Sequence, residues 1–186
     1  MTFGHHNAAM DAVLLIWALT VSFTVCAGWL DWSTRKIPNW LTVSGFLLGV
    51  GVHLVFGRWH GVATSLEGAG LALAILLPLV LLRGLGAGDW KLMGAVGALL
   101  GPWAMLVVLF VSVLVSGVMA VLTMMQAGRV VATLRNIVVL VRGFLVFGWR
   151  GNPQITIDNP GLLKLPFGVA AALATFICFV LSRFAQ

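Results

Sequence analysis

Long runs of apolar residues, separated by short polar segments, make up most of the chain. A helix needs about 20 mostly apolar residues to cross the hydrocarbon core of a bilayer, and five of the runs match that requirement. Residues 103–125, for example, contain no charged residue. Together with one shorter run, the pattern predicts six membrane spans: residues 12–30, 40–57, 62–82, 89–100, 103–125 and 162–181.

The fourth span is the shortest, because its apolar residues end at Gly101-Pro102. A helix that begins at Asp89 is expected to cross a thinned or water-filled region there. The longest connection is the loop over residues 126–160, in which residues 137–149 predict an interfacial or re-entrant helix. No repeat or linker divides the chain, so we expect one all-α, polytopic membrane domain over residues 1–186.

The composition agrees with this membrane interpretation. Apolar residues make up 61% of the chain and charged residues 9%, with a mean hydropathy of +1.08. Soluble domains are about 45–50% apolar and about a quarter charged, so an ordinary soluble domain is excluded. A disordered chain, which needs low hydrophobicity and high charge, is excluded by the same values.

The distribution of basic residues predicts the orientation in the membrane. The chain has 11 Lys and Arg against 5 Asp and Glu. With six spans and both termini outside, in the periplasm, all the basic residues except Arg58 and Arg183 lie on the cytoplasmic side, as the positive-inside rule requires. We therefore expect a protein of the inner membrane. Long apolar runs separate the arginines, so no basic stripe for nucleic acid is formed.

No metal or other cofactor is expected. Cys26 and Cys178 lie inside apolar runs and form no Cys-x-x-Cys pair, so neither a zinc site nor a disulfide is predicted. His5 and His6, near the N-terminus, are interpreted as part of an exposed polar tail.

Two of the five acidic residues stand out by position. Asp11 precedes the first span, Asp158 lies in a turn, and Glu67 lies near the outer face. We therefore expect each of these three carboxylates to be in contact with solvent or with the membrane interface. Asp31 and Asp89 both fall at the cytoplasmic ends of predicted spans, at about the same depth. Ionisable groups at that depth are costly and commonly mark a functional site.

Asp31 follows the first apolar run, at the C-terminal end of the predicted helix. The helix dipole disfavours an anion there, so a function or a local partner must compensate. A simple ion pair with Arg35 or Lys36 at the membrane edge is the alternative explanation. Pro38, a little further on, is suited to the first turn of the second span.

Asp89 closes a glycine-rich segment that contains Gly86 and Gly88. As an aspartate ahead of an apolar run, it is also a good helix N-cap, which is the alternative to a functional role. The glycines allow the backbone to bend sharply or let another chain approach closely. Irregular backbone at membrane depth is tolerated only where it is buried in protein or lines a water-filled cavity.

Two neighbouring carboxyl groups hold one proton between them over a range of pH. The ionised member can take a proton from water while the protonated member polarises a peptide carbonyl. This is aspartyl-protease chemistry, which needs neither a metal nor a covalent intermediate. The residues alone leave open whether Asp31 and Asp89 meet.

At these positions the chain resembles the type IV prepilin peptidases, membrane aspartyl proteases that are related to the archaeal preflagellin peptidases. The first similar segment is Asp31 with the stretch Arg35-Lys36-Ile37-Pro38-Asn39. The second is Gly86-Ala87-Gly88-Asp89-Trp90-Lys91, and the third is Leu165-Pro166-Phe167-Gly168. The three occur in the same order as in the family, along essentially the whole chain.

The resemblance implies cleavage of the leader peptide from prepilin-like proteins at the cytoplasmic face of the membrane. It implies Asp31 and Asp89 as the catalytic pair, with Gly86 and Gly88 shaping the loop. Supporting positions without an assigned role are Arg35, Pro38, Asn39, Lys91 and Pro166. The short first loop lacks the cysteine-bearing insertion of many relatives. In this respect the chain resembles the protease-only form of the family, which is associated with Flp-type pili. N-methylation, the particular pilin and the oligomeric state are left open.

Two other classes of function fit some of the same residues. A small proton-coupled transporter would use intramembrane acids and broken helices. A non-catalytic pilus-assembly factor would keep the fold without the chemistry. Replacing either aspartate separates these classes, because only a peptidase would lose a peptide product.

Overall fold

The computed structural model describes residues 3–82, 84–126 and 166–184. Its elements are the helices α1 (Phe3–Thr34), α2 (Asn39–Leu81), α3 (Ala87–Gln126) and α4 (Phe167–Phe184). The all-α prediction is confirmed for these residues. Each helix is long and apolar enough to cross a membrane. The predicted loop over 126–160, with its interfacial helix, lies almost wholly outside the described residues.

The prediction of six spans is wrong for the described part of the chain, which has four candidate spans. Helix α2 runs from the second predicted span into the third, and α3 runs from the fourth into the fifth. The predicted loops are replaced by single non-helical residues, Arg58 (φ 51°, ψ −139°) and Gly101 (φ 74°, ψ 177°). In each of the two helices a single residue with a positive φ changes the direction of the backbone, so no separate loop is needed.

Helix α2 reverses its direction at Arg58. Near its start, Asn39 accepts a hydrogen bond from the Lys91 amine (3.0 Å), and near its end the Leu73 carbonyl accepts one from the Trp90 indole (2.8 Å). The two halves of α2 therefore reach the same turn of α3 from opposite directions. They enclose the first half of α3 as an antiparallel pair.

The two halves of α2 also complete the backbone hydrogen bonding of α3 at its bend. Pro102 has no N–H and cannot donate to the Ala98 carbonyl, as a residue four positions on normally does. The buried Ser65 hydroxyl donates to that carbonyl instead (2.7 Å). The His53 ring donates from Nε2 to the neighbouring carbonyl of Leu99 (2.9 Å). The break in α3 thus leaves neither carbonyl unpaired.

We expect Ser65→Ala to lower the free energy of unfolding by about 1–3 kcal/mol, because it leaves the buried Ala98 carbonyl without a donor. Thermal unfolding of the purified protein in detergent measures the change. Ser22→Ala is the matched control, since the exposed Ser22 hydroxyl bonds only within its own helix, to the Ala18 carbonyl. Equal stability of the two variants would contradict this role of Ser65.

The first half of α3 forms the centre of the bundle, and residues 92–99 are all buried. Close packing depends on glycine here, because a Cβ on Gly97 would overlap the carbonyl oxygen of Gly68 in α2. Helix α1 packs mainly on α4, and α4 packs on α3. Small residues that let helix backbones touch are typical of packing within membranes.

Exposed tryptophans lie at both ends of the bundle. Trp29, Trp32 and Trp40 lie near the connection between α1 and α2. Trp59 and Trp103 lie next to the two positive-φ junctions, at the other end. Tryptophan is enriched at the two membrane–water interfaces, so this distribution fits a bundle that crosses the bilayer between the two levels.

Candidate active site

Asp31 lies in the last turn of α1 and is 7% exposed. Its Oδ2 atom accepts a hydrogen bond of 2.8 Å from the main-chain N–H of Gly168. Gly168 is the second residue of α4, so the carboxylate lies at the N-terminus of that helix. The positive end of the α4 dipole therefore compensates the unfavourable position of Asp31 at the C-terminal end of α1.

The end of α1 also brings a basic residue towards Asp31. The Arg35 amide donates to the Asp31 carbonyl (2.9 Å), and Arg35 adopts a left-handed φ of 54°. This conformation is the usual way for a helix to end. The Arg35 guanidinium attracts the Asp31 carboxylate electrostatically. The electrostatic attraction to Arg35 therefore acts beside the hydrogen bond from Gly168, so an ion pair alone does not account for the position of Asp31.

Asp89 is the third residue of α3 and is half-buried. Its carboxylate accepts a hydrogen bond from the Gly86 amide, just before the helix. A side chain at this position that reaches back to the amide before the first turn is half of a capping box. The capping interpretation thus holds in modified form, because Asp89 caps α3 from inside its first turn.

The structure brings Asp31 and Asp89 within electrostatic reach of each other. The Asp31 carboxylate exerts a Coulombic repulsion on that of Asp89, and α1 contacts α3. The two carboxyl groups come from helices that are separated by the whole of α2. A pair of this kind can share one proton and act as an acid and a base together.

Gly86 and Gly88 lie at the start of α3, and neither has a positive φ. Among the described residues, Gly101 is the only glycine with a positive φ. A Cβ on Gly88 would stand 3.4 Å from the Cβ of Ile37, in ordinary van der Waals contact. A Cβ on Gly86 would stand 3.1 Å from Oδ2 of Asp89. Gly88 therefore lies beside the α1–α2 connection at a distance that a side-chain carbon would also allow, whereas a Cβ at Gly86 would crowd the Asp89 carboxylate.

The supporting residues of the first two motifs connect the starts of α2 and α3. Pro38 directly precedes α2 in an extended conformation, and its carbonyl accepts from the Leu41 amide (3.2 Å). Lys91 donates to Oδ1 of Asn39, the first residue of α2. This bond joins residues 52 positions apart and gives both motifs one shared contact.

Pro166 is buried and directly precedes α4, where its carbonyl accepts from the Val169 amide (3.2 Å). It therefore begins the helix whose first turn holds Asp31. Gly168, which makes that bond, was not among the predicted site residues. The third motif contains Gly168. Every residue except proline carries a main-chain N–H, however, so the sequence does not show which of these donors binds the aspartate.

In the described ranges, no three His, Cys, Asp or Glu side chains are grouped as metal ligands. Cys26 is exposed and Cys178 is buried, and both are free thiols. The chemical groups described at the site are the carboxyl groups of Asp31 and Asp89, the nearby Arg35 guanidinium, and the main-chain amides of Gly86 and Gly168.

The protein is an all-helical membrane bundle that holds two electrostatically interacting carboxyl groups at one end. The family model that matches the chain is the type IV leader peptidase family, over residues 17–121. The match covers more than half of the chain, which therefore belongs to this family of peptidases. It includes Asp31 and Asp89 and ends well before Gly168. No curated protein and no solved structure matched the chain.

Proposed function

We propose that the protein is a membrane aspartyl endopeptidase that removes leader peptides from Flp-type, type IV prepilin-like proteins at the cytoplasmic face of the inner membrane. The observation that carries the proposal is that Asp31 and Asp89, at the ends of two different helices, lie within electrostatic reach of each other. Membership of the leader peptidase family supports the substrate class.

The paired carboxyl groups can carry out the whole reaction with water. The ionised carboxylate takes a proton from water, whose oxygen forms a bond to the carbon of the scissile carbonyl. The protonated carboxyl donates its hydrogen bond, and then its proton, to the carbonyl oxygen. When the tetrahedral intermediate collapses, the C–N bond breaks and a proton passes to the leaving nitrogen. The products are the leader's new carboxylate and the pilin's new amine.

The level of the site in the bundle supports a substrate that is cut at the membrane surface. Asp31 lies between Trp29 and Trp32, which are exposed at one end of the bundle. A prepilin whose apolar helix is in the bilayer would present the preceding peptide bond at this level.

The connection between α1 and α2 supports the short form of the family and its cytoplasmic orientation. Only residues 35–38 separate the two helices, so no cysteine-bearing insertion is present. Arg35, Lys36 and Lys91 lie at the same end of the bundle as the two aspartates. The positive-inside rule places such an end in the cytoplasm.

Incubation of the purified protein in detergent with a Flp-type prepilin, followed by mass spectrometry, tests the proposal. We expect a single new N-terminus just ahead of the apolar helix of the pilin. Absence of cleavage by a well-folded protein, across several prepilins, would contradict it. Proton flux in proteoliposomes without any peptide product would favour a transporter.

A further inference from the structure

The space at Gly168 is filled by the Asp31 side chain. A Cβ at position 168 would stand 2.9 Å from the Cβ of Asp31 and 3.0 Å from its Oδ2, and 3.3 Å from the Ala27 carbonyl oxygen. Both residues are buried. The absence of a side chain at Gly168 is therefore what lets the aspartate reach the first turn of α4.

The hydrogen bond at Gly168 also restricts how the Asp31 carboxyl group can turn. Bonds from N–H groups to an ionised oxygen are short and strong, and the 2.8 Å separation is in that range. With Oδ2 bound to the Gly168 amide, rotation of the group about its last bond is limited. The direction in which the other oxygen points is then set by α4.

Asp89 is held differently, by the Gly86 amide at the start of its own helix. One member of the pair is thus oriented locally, whereas the other depends on a helix 137 residues away in the chain. The mutual geometry of the pair is therefore determined by how α4 packs on α1.

We propose that the main-chain amide of Gly168 is the positioning group of Asp31, and that glycine is required there so that the carboxylate can reach it. The proposal rests on the proposed function, since it concerns the geometry of the same catalytic pair. It also gives α4, which lies outside the matched range of the family, a part in catalysis.

Gly168→Ala tests the requirement for glycine. The added methyl group displaces the Asp31 carboxyl, and a misplacement near 1 Å at a reacting group costs about 100-fold in rate. We expect kcat to fall by about 10- to 100-fold. KM should stay within about twofold, because a change in the orientation of one catalytic group acts on the chemical step rather than on substrate binding.

Gly94→Ala is a control for crowding at another glycine of the bundle. Its Cβ would stand 2.9 Å from Cδ2 of Leu73, the same separation as at Gly168, but from the end of a flexible side chain and not from either aspartate. We expect a lowered melting temperature with unchanged kcat per folded molecule. Gly117→Ala, with nothing within 4 Å of the added carbon, should leave kcat unchanged and should not lower the melting temperature.

An ester in place of the Phe167–Gly168 peptide bond tests the amide itself. Introduced with a synthetic C-terminal segment, it removes the N–H donor without adding a side chain. We expect about a 10-fold lower kcat at unchanged KM, from the loss of one hydrogen bond to an ionised group. This variant decides the question if Gly168→Ala does not fold.

Unchanged kcat in the ester variant would overturn the proposal, and so would an equal loss of kcat in Gly94→Ala and Gly168→Ala. Failure of the proposed function looks different. In that case the wild-type protein cleaves no prepilin, or Asp31→Asn cleaves as fast as the wild type. If the wild type cleaves and Asp31→Asn does not, the Gly168 variants report on positioning alone.

Discussion

Replacing either Asp31 or Asp89 with asparagine is expected to lower the rate of leader cleavage at least about 1,000-fold. Asparagine has nearly the same shape but can neither take a proton from water nor donate one to the carbonyl. Its side-chain oxygen can still accept the hydrogen bonds from Gly168 and Gly86, so we expect both variants to fold. Initial rates with a purified prepilin, read by mass spectrometry, measure the loss.

Asp11→Asn is the matched control, because Asp11 is an exposed acidic residue near the start of α1. We expect it to cleave at the wild-type rate, with the same melting temperature as the other two variants. Retention of more than about one tenth of the activity by Asp31→Asn or Asp89→Asn would contradict the catalytic assignment, since a missing acid or base costs about 100-fold or more.

Gly97→Ala should have the largest effect on folding. The added carbon would overlap the backbone carbonyl of Gly68, which cannot move aside as a flexible side chain can. The second half of α2 must therefore shift away from the buried centre of α3. We expect the free energy of unfolding to fall by about 3 kcal/mol or more, the upper range for overpacking. Thermal unfolding in detergent and the yield of monodisperse protein measure this effect.

Gly117→Ala provides the comparison in the same helix. A Cβ at Gly117 meets nothing within 4 Å, and Gly117 is exposed. Alanine has the higher helix propensity, so we expect equal or slightly higher stability, by up to about 1 kcal/mol. Equal stability of Gly97→Ala and Gly117→Ala would contradict the close backbone contact between α2 and α3 at Gly97.

The helical class of the fold could be predicted because the length and apolar composition of a spanning helix are local properties of the chain. The number of continuous helices could not. At Arg58 the chain reverses through one arginine with a positive φ, a conformation that residue preferences do not lead one to expect outside glycine. At Gly101 the bend depends on hydroxyl and imidazole donors from another helix, Ser65 and His53, which no local pattern reveals.

The candidate site, like the fold, could be predicted only in part. Asp31 and Asp89 could be selected from the sequence because charge is rare at that depth in a membrane protein. Their proximity could not, since it depends on the packing of α1, α3 and α4. The partner of Lys91 is likewise a tertiary contact, with Asn39, and the contribution of Gly168 comes from a main-chain atom.

The central claim, that Asp31 and Asp89 of one chain form one catalytic pair, is tested most directly by a single comparison of prepilin cleavage. The wild type, Asp31→Asn, Asp89→Asn and a sample in which the two variants are co-expressed and co-purified are assayed together. We predict cleavage by the wild type only, because no chain in the mixed sample carries both carboxyl groups. Cleavage by either variant alone would contradict the pair. Recovery of activity in the mixed sample would show that the two aspartates come from different chains.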